Sequence, residues 1–303
     1  MGYSVVIPIY NEAESIGALL KEIQAVKPRP QEILVVDDGS QDGTFDALKK
    51  IADITIIRFR RNFGQSAAMA AGIAHAKSDV IVTMDGDGQN DPKDIPKLLA
   101  KLDEGYDAVS GWRHRRKDPI MKHVMSRIAN YLRHFVISDH LHDAGCSLKA
   151  YRRECFEDFE LYGELHRYIA EMLGLKGFRV GEVKVNHRAR KAGKTKYSTK
   201  RVVKGFLDLF LIWFWQKYVG RPLHLFGGLG LLAGLLGMIL SIYSIYLWIF
   251  TSLDLSDTFL PVIAIFLILA GIQLFIAGIM SDLLARNYNK GRHRYSIQEV
   301  VDT

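Results

Sequence analysis

Over roughly its first 190 residues the chain alternates between two rhythms. Short apolar runs end abruptly in polar, glycine-bearing turns, and between them apolar residues recur every third or fourth position. The runs at 3–9, 32–36, 54–59, 80–84 and 106–110 predict strands, the fourth of them buried as in a parallel sheet. Ile16, Leu19, Leu20 and Ile23 predict a helix after the first strand, and Asp42 predicts the cap of a second. The alanine-rich stretch 66–76 predicts a helix that packs closely, and Asp91-Pro92 opens another with proline in its first turn. Strands alternating with helices at this spacing predict a parallel α/β sheet. Every polar insertion follows the end of a strand, where open α/β sheets bind ligands. That recurrence points to one shared crevice.

The rhythm changes further on. From Pro119 the apolar positions Met121, Val124, Met125, Ile128, Ala129, Leu132 and Phe135 predict an amphipathic helix with basic residues around it. A turn-rich return at 143–147, a helix at 164–173 and a strand at 178–186 follow. Residues 199–217 are mostly aromatic and apolar, with Lys200, Lys204 and Asp208 on one stripe, and predict a helix lying in a membrane interface. Two uncharged apolar runs, 223–250 and 259–281, are each long enough to cross a bilayer. The short link between them holds Asp254 and Asp257 but no lysine or arginine, whereas Arg201, Lys204, Lys217 and Arg221 precede the first run and Arg286, Lys290, Arg292 and Arg294 follow the second. The positive-inside rule then places both ends of the chain in the cytoplasm, the protein being a multi-pass inner-membrane one. Gly227, Gly230, Gly234 and Gly237 recur at helical spacing and predict close helix contact, with the second span or with another subunit in a homo-oligomer. The expected organisation is a cytoplasmic catalytic domain at 1–198, an interfacial helix at 199–221, two transmembrane helices at 222–283 and a basic cytoplasmic tail at 284–303.

Charge sharpens this. Lys+Arg total 40 against Asp+Glu 33, a net +7, concentrated at 113–122, 188–204 and 286–294. These segments cluster beside the membrane runs, which favours phosphate or anionic lipid as partner and argues against nucleic acid. Two cysteines, Cys146 and Cys155, have no metal-like spacing and suit a reduced compartment. No basic segment precedes the first apolar run, so no signal peptide is expected. The chemistry concentrates at Asp85-Gly86-Asp87-Gly88-Gln89. Two carboxylates and an amide oxygen at a strand end make a hard oxygen site, suited to Mg²⁺ or Mn²⁺ rather than zinc. Alone, this stretch reads more readily as an acidic turn.

The surrounding residues decide between the two. Pro8-Ile9-Tyr10-Asn11-Glu12, Asp37-Asp38-Gly39-Ser40, Asn62-Phe63-Gly64, Asp85 to Gln89, Gly111-Trp112-Arg113 and the His187…Arg190…Gly193 loop occur in an order and spacing that resemble the family 2 glycosyltransferases. The closest resemblance is to those acting on polyprenyl phosphates. It spans nearly the whole chain. It implies a GT-A, Rossmann-like α/β fold with a mostly parallel sheet, followed by the interfacial helix and the transmembrane hairpin. It also implies transfer of one sugar, with inversion, from a nucleotide-diphosphate sugar such as UDP-glucose, or GDP-mannose, to undecaprenyl or dolichyl phosphate at the bilayer. Pro8, Tyr10, Glu12 and Asp38, with Asp85 and Lys196, would hold the donor nucleotide. Asp85, Asp87 and Gln89 would hold the metal. Arg113, Ser126 and Arg127 would meet the acceptor phosphate. Arg190 and Lys196 would close over the diphosphate, and Asp143 would position groups in the site; with Asp87 and Arg113, Arg190 and Asp143 form the expected catalytic set. Thr195 stands where relatives often carry serine, and the Gln-x-x-Arg-Trp signature of processive synthases is absent. A nucleotide-binding membrane scaffold without turnover, and a transferase acting on a hydroxyl acceptor, are the alternatives.

Overall fold

The computed structural model describes residues 2–114, 141–143, 145–157, 159, 161, 163, 165–188, 214, 218, 222–251 and 254–288. The chain forms two compact units, Met1–Leu209 with Ser296–Thr303, and Phe210–Tyr295.

The first unit is built on a seven-stranded sheet: β1 (Tyr3–Ile9), β2 (Glu32–Asp37), β3 (Thr55–Arg58), β4 (Val80–Thr83), β5 (Ala108–Arg113), β6 (Lys149–Arg152) and β7 (Val180–Val185). Their spatial order is β3-β2-β1-β4-β6-β5-β7. All pairs are parallel except those of β6, which runs antiparallel to both β4 and β5. The six expected strands are present within a few residues of their expected bounds, β5 displaced so that it runs to Arg113. β6 was not expected. It is four residues long and contains Lys149 and Arg152, so it shows neither an apolar run nor clean alternation.

The sheet is covered on both faces. Val5, Ile7 and Ile9 of β1 face α1 (Ile16–Gln24) and the helix α4 (Ile95–Asp103), packing with Ile16, Leu20, Ile23, Ile95 and Leu98. Val6 points the other way, toward Met69 and Ile73 of α3 (Gln65–His75) and Ile169 and Leu173 of α5 (Ile169–Leu175). The period-2 alternation of a strand thus feeds two cores. The alanine-rich α3 does pack closely: a Cβ at Gly72 would lie 2.3 Å from a Val6 methyl. Between α1 and α3 lies the short α2 (Thr44–Leu48), whose N-cap is Gly43; Asp42 still serves its first turn by accepting from the Thr44 N–H at 3.1 Å. The expected helix at 164–173 divides into a 3-10 turn, Leu165–Arg167, followed by α5.

The second unit contains two 29-residue helices, α6 (Pro222–Phe250) and α7 (Leu260–Tyr288), joined through a 3-10 turn at Leu255–Asp257. Both contain segments long and apolar enough to cross a membrane. They pack along glycines. A Cβ at Gly230 would sit 2.6 Å from the Gly271 carbonyl oxygen, and one at Gly237 would sit 2.7 Å from that of Ala264. Gly230 and Gly237 of α6 therefore face α7. Of the expected interfacial helix only Phe214 and Tyr218 are described, both helical; the remainder lies outside the described residues, as does the amphipathic stretch after Pro119.

Candidate functional site

The order of the sheet reverses at β1 and β4, which are neighbours although two strands and three helices of the chain separate them. A crevice opens beyond the carboxyl ends of strands at such a point. The turns after β1, β2 and β4 all reach it, and they are tied together by side chains. Asn11, in the left-handed region at φ 56°, donates its N–H to Ser40 Oγ at 2.9 Å, and its Oδ1 accepts from the Gln41 N–H at 2.9 Å. The Glu12 N–H donates to Thr44 Oγ1 at 3.0 Å. Ser15 Oγ hydrogen-bonds to Glu12 Oε2 at 2.8 Å and also lies 3.1 Å from the Gly86 carbonyl. Gly86 itself rests on β1, since a Cβ there would meet Ile9 Cγ2 at 2.3 Å. The turn bearing Asp85 and Asp87 thus sits directly against the turn bearing Tyr10 and Glu12, and Pro8 lies within β1 just below.

Asp38 and Asp85 are joined through a single loop. Both Asp38 carboxylate oxygens accept backbone N–H groups, from Phe63 at 2.7 Å and from Gly64 at 2.9 Å. The next residue, Gln65, opens α3 and donates from Nε2 to Asp85 Oδ1 at 2.6 Å. Asp85 keeps some solvent-exposed surface, yet its carboxyl lies deep enough that desolvation raises its pKa above the ordinary carboxylate value. Hydrogen bonding with Ser147, the charge of Arg113, the Gln65 bond and the charge of Arg167 oppose this without reversing it. Asp87 Oδ1 accepts from the Gln89 N–H at 3.1 Å, closing the acidic turn.

This donor set fits a hard cation. A carboxylate whose charge is disfavoured by burial gains most from a divalent ion, which inverts the local balance. No group of three histidine, cysteine or acidic side chains assembles among the described residues. Asp85, Asp87 and the Gln89 amide would supply oxygen donors of the kind that suit Mg²⁺ or Mn²⁺.

Arg113, at the end of β5, meets Asp143 in a fork: Nε to Oδ2 at 2.7 Å and an Nη to Oδ1 at 2.8 Å, with the Arg113 N–H at 3.2 Å from the same carboxylate. Burial works against the arginine charge, but the bond to Asp143 and its attraction win, and the Arg113 pKa is raised further. Asp143 is held in turn by Glu182 of β7, whose Oε1 accepts its N–H at 3.0 Å. Both side chains of the fork are nearly buried, and Cys146 beside it has its thiol pushed up to about 11 by burial.

The foot of the basic loop is built onto the acidic turn. His187 forms an antiparallel bridge with Asn90, and the Arg188 N–H donates to the Gln89 carbonyl at 2.8 Å. The Arg188 guanidinium spans Glu22 at 2.5 Å and Asp91 at 2.7 Å. The chain therefore enters the segment containing Arg190 and Lys196 from the rim of the crevice. Arg190, Lys196, Ser126 and Arg127 lie outside the described residues. The structure brings together the expected residues Pro8, Tyr10, Glu12, Asp38, Asp85, Asp87 and Gln89, and charge links Asp85 to the Arg113–Asp143 pair. It adds Ser15, Gln65, Ser147, Glu182 and Arg188. Only Gln65 had a readable signal, as the residue that follows Asn-x-Gly.

Comparison with known proteins follows the same lines. The profile of the family described as Glycosyl transferase family 2 matches residues 4–159. A dodecaprenyl-phosphate galacturonate synthase from Rhizobium johnstonii is 37% identical, the alignment covering 99% of this chain and 93% of the relative. An undecaprenyl-phosphate 4-deoxy-4-formamido-L-arabinose transferase from Salmonella paratyphi A is 33% identical over 98% of this chain and 93% of its own length. Among solved structures, glucosyl-3-phosphoglycerate synthase from Mycobacterium tuberculosis in complex with Mn²⁺, UDP and phosphoglyceric acid superposes with TM-score 0.55 at 18% identity, covering 69% of this chain and 78% of that one. Mannosyl-3-phosphoglycerate synthase from Rubrobacter xylanophilus superposes at 0.57 and 16%, covering 72% and 75%. These two likenesses establish the fold.

Proposed function

The chain belongs to glycosyl transferase family 2, and from that footing we propose that it transfers one sugar from a nucleotide-diphosphate sugar to a polyprenyl phosphate, giving a lipid-linked monosaccharide. The observation that carries this reading is the acidic turn Asp85-Gly86-Asp87 at the reversal point of the sheet, packed on the turn after β1. End-to-end similarity to enzymes named for dodecaprenyl and undecaprenyl phosphate supports the lipid acceptor. Those relatives are named for different sugars, so the acceptor class is the shared feature. UDP-glucose and GDP-mannose stand beside uronic and amino-sugar donors as candidates.

Asp85, Asp87 and Gln89 would hold Mg²⁺ or Mn²⁺, which when bound neutralises charge on the leaving nucleotide diphosphate. Glu12, fixed by Ser15, and Asp38, fixed by the loop after β3, preorganise the nucleotide end. The acceptor phosphate oxygen attacks the anomeric carbon as the bond to the diphosphate oxygen breaks, and the configuration inverts. A phosphate monoester has a second pKa near ~6 and is already largely dianionic at neutral pH, so no side chain need remove a proton. Arg113 is the group we assign to the acceptor phosphate, with Asp143 orienting it. Arg190 and Lys196 supply further positive charge to the diphosphate. The two apolar helices anchor the protein in a bilayer, with the catalytic unit and the C-terminus on the cytoplasmic side.

The test is direct. The full-length protein in detergent, given Mn²⁺, undecaprenyl phosphate and a panel of UDP- and GDP-sugars, is expected to yield a glycolipid with one of them. Asp87→Ala is expected to lower turnover about 10²–10³-fold. Nucleotide-sugar consumption without a lipid product, or full turnover by Asp87→Ala, overturns the assignment.

A further inference from the structure

We propose that Phe63 is the platform on which the base of the donor nucleotide stacks, an inference that rests on the reading of this crevice as a nucleotide-sugar site. Among the described residues of the first unit, large apolar side chains are exposed at only two positions, Phe63 and Leu175. Phe63 is 55% exposed. A single exposed apolar residue needs no explanation by itself. What sets Phe63 apart is how firmly its backbone is held.

Its N–H and that of Gly64 occupy both oxygens of the buried Asp38. The loop lies directly on Gly39, which has φ +73°: a Cβ there would come within 2.6 Å of the Arg61 carbonyl carbon and 2.9 Å of the Asn62 nitrogen. Gln65 fixes the far end to Asp85. The segment 61–65 is thus strung rigidly between the acid at the end of β2 and the acid at the end of β4. A donor whose diphosphate lies at Asp85 and Asp87 extends its base along this segment.

The ring also carries the right electrostatics. The Arg61 guanidinium stands 4.4 Å from its centroid, and the Phe59 ring lies perpendicular to it with centroids 5.6 Å apart. An aromatic face reinforced by arginine is the general means of holding a nucleobase without reading its hydrogen-bonding edge. Each Asp38 oxygen already accepts one N–H from the loop, so base affinity here comes from stacking on Phe63 as well as from hydrogen bonds. Phe63 is then a binding residue for the donor and stands apart from the transfer step.

Isothermal titration of the full-length protein in detergent with Mn²⁺, using UDP, GDP and inorganic pyrophosphate, tests this. Phe63→Ala is expected to weaken whichever nucleotide the wild type binds by about tenfold or more, from the size of base–aromatic stacking. Pyrophosphate affinity should stay unchanged, and Phe63→Tyr should bind the nucleotide within about threefold of wild type, since it keeps the ring. Unchanged nucleotide binding by Phe63→Ala overturns the inference, as does an equal loss for pyrophosphate, which would mark a disturbed fold or metal site. A wild-type protein that binds neither UDP nor GDP overturns the nucleotide-sugar reading itself, and that result is visible before any variant is made.

Discussion

Arg113 and Asp143 show what single residues contribute. Each side chain is nearly buried, at 13% and 8% exposure, and the two form a bidentate pair. Removing one partner from such a pair leaves a desolvated charge and costs about 3–5 kcal/mol, more than the pair itself is worth. Asp143→Ala is therefore expected to destabilise the protein more than the Arg113→Leu/Asp143→Leu double substitution does, as read by thermal unfolding in detergent. Arg113→Lys tests function separately. Lysine carries the charge but cannot present a fork to two oxygens. With a short, soluble polyprenyl phosphate, the acceptor KM is expected to rise about tenfold while the donor KM stays unchanged. An equal rise in both would detach Arg113 from the acceptor.

At the scale of elements, two joints organise the molecule. The first lies at the amino ends of the central strands. Glu32 of β2 accepts from Ser4 of β1 and from the backbone of Lys77 and Ser78 just before β4. Burial alone would raise the Glu32 pKa, but these hydrogen bonds outweigh it, and the pKa is lowered from 4.5. A carboxylate whose folded pKa is lowered adds stability above its unfolded pKa, and that stability is lost as pH falls through the folded value. Glu32→Gln is expected to unfold more easily than wild type at pH 7, with the difference closing in acid, as followed by denaturation at a series of pH values. The second joint is the seam between α6 and α7. Gly230 and Gly271 each leave room for the other's carbonyl, and backbone cannot yield to a side chain there. Gly230→Leu is expected to cost about 1–3 kcal/mol of hairpin stability through overpacking. Gly228→Leu, with nothing within 4 Å of its Cβ position, should be tolerated. Equal melting temperatures for the two variants would count against this seam.

At the scale of the whole molecule, the chain couples a family 2 glycosyltransferase unit to two apolar helices, and its long alignment with prenyl-phosphate enzymes covers both parts. The basic residues flank the apolar helices on the side of the chain ends, and the link carries Asp254 and Asp257 without a lysine or arginine. From this asymmetry we propose an orientation with both chain ends cytoplasmic. Both native cysteines are buried, so an engineered thiol at Asp257→Cys would be read against a quiet background. It is expected to react with a membrane-impermeant maleimide applied to the non-cytoplasmic face of oriented vesicles. Labelling from the cytoplasmic face alone would invert the topology.

By itself the sequence determined the local things: six of the seven strands, the position of Asp85 and Asp87 at a strand end, and two apolar runs long enough for a bilayer. Each depends on a repeat of two or 3.6 residues, or on a run of apolar residues, within a window shorter than 30 residues. The tertiary structure alone decided who meets whom. It inserted β6, unreadable because Lys149 and Arg152 break its apolar pattern, and so set β5 two places from β4. It also brought Ser15 to Gly86, Gln65 to Asp85, Asp143 to Arg113 and Glu182 to Asp143. Polar contacts between residues so far apart along the chain follow from strand order and register, and no local periodicity encodes either.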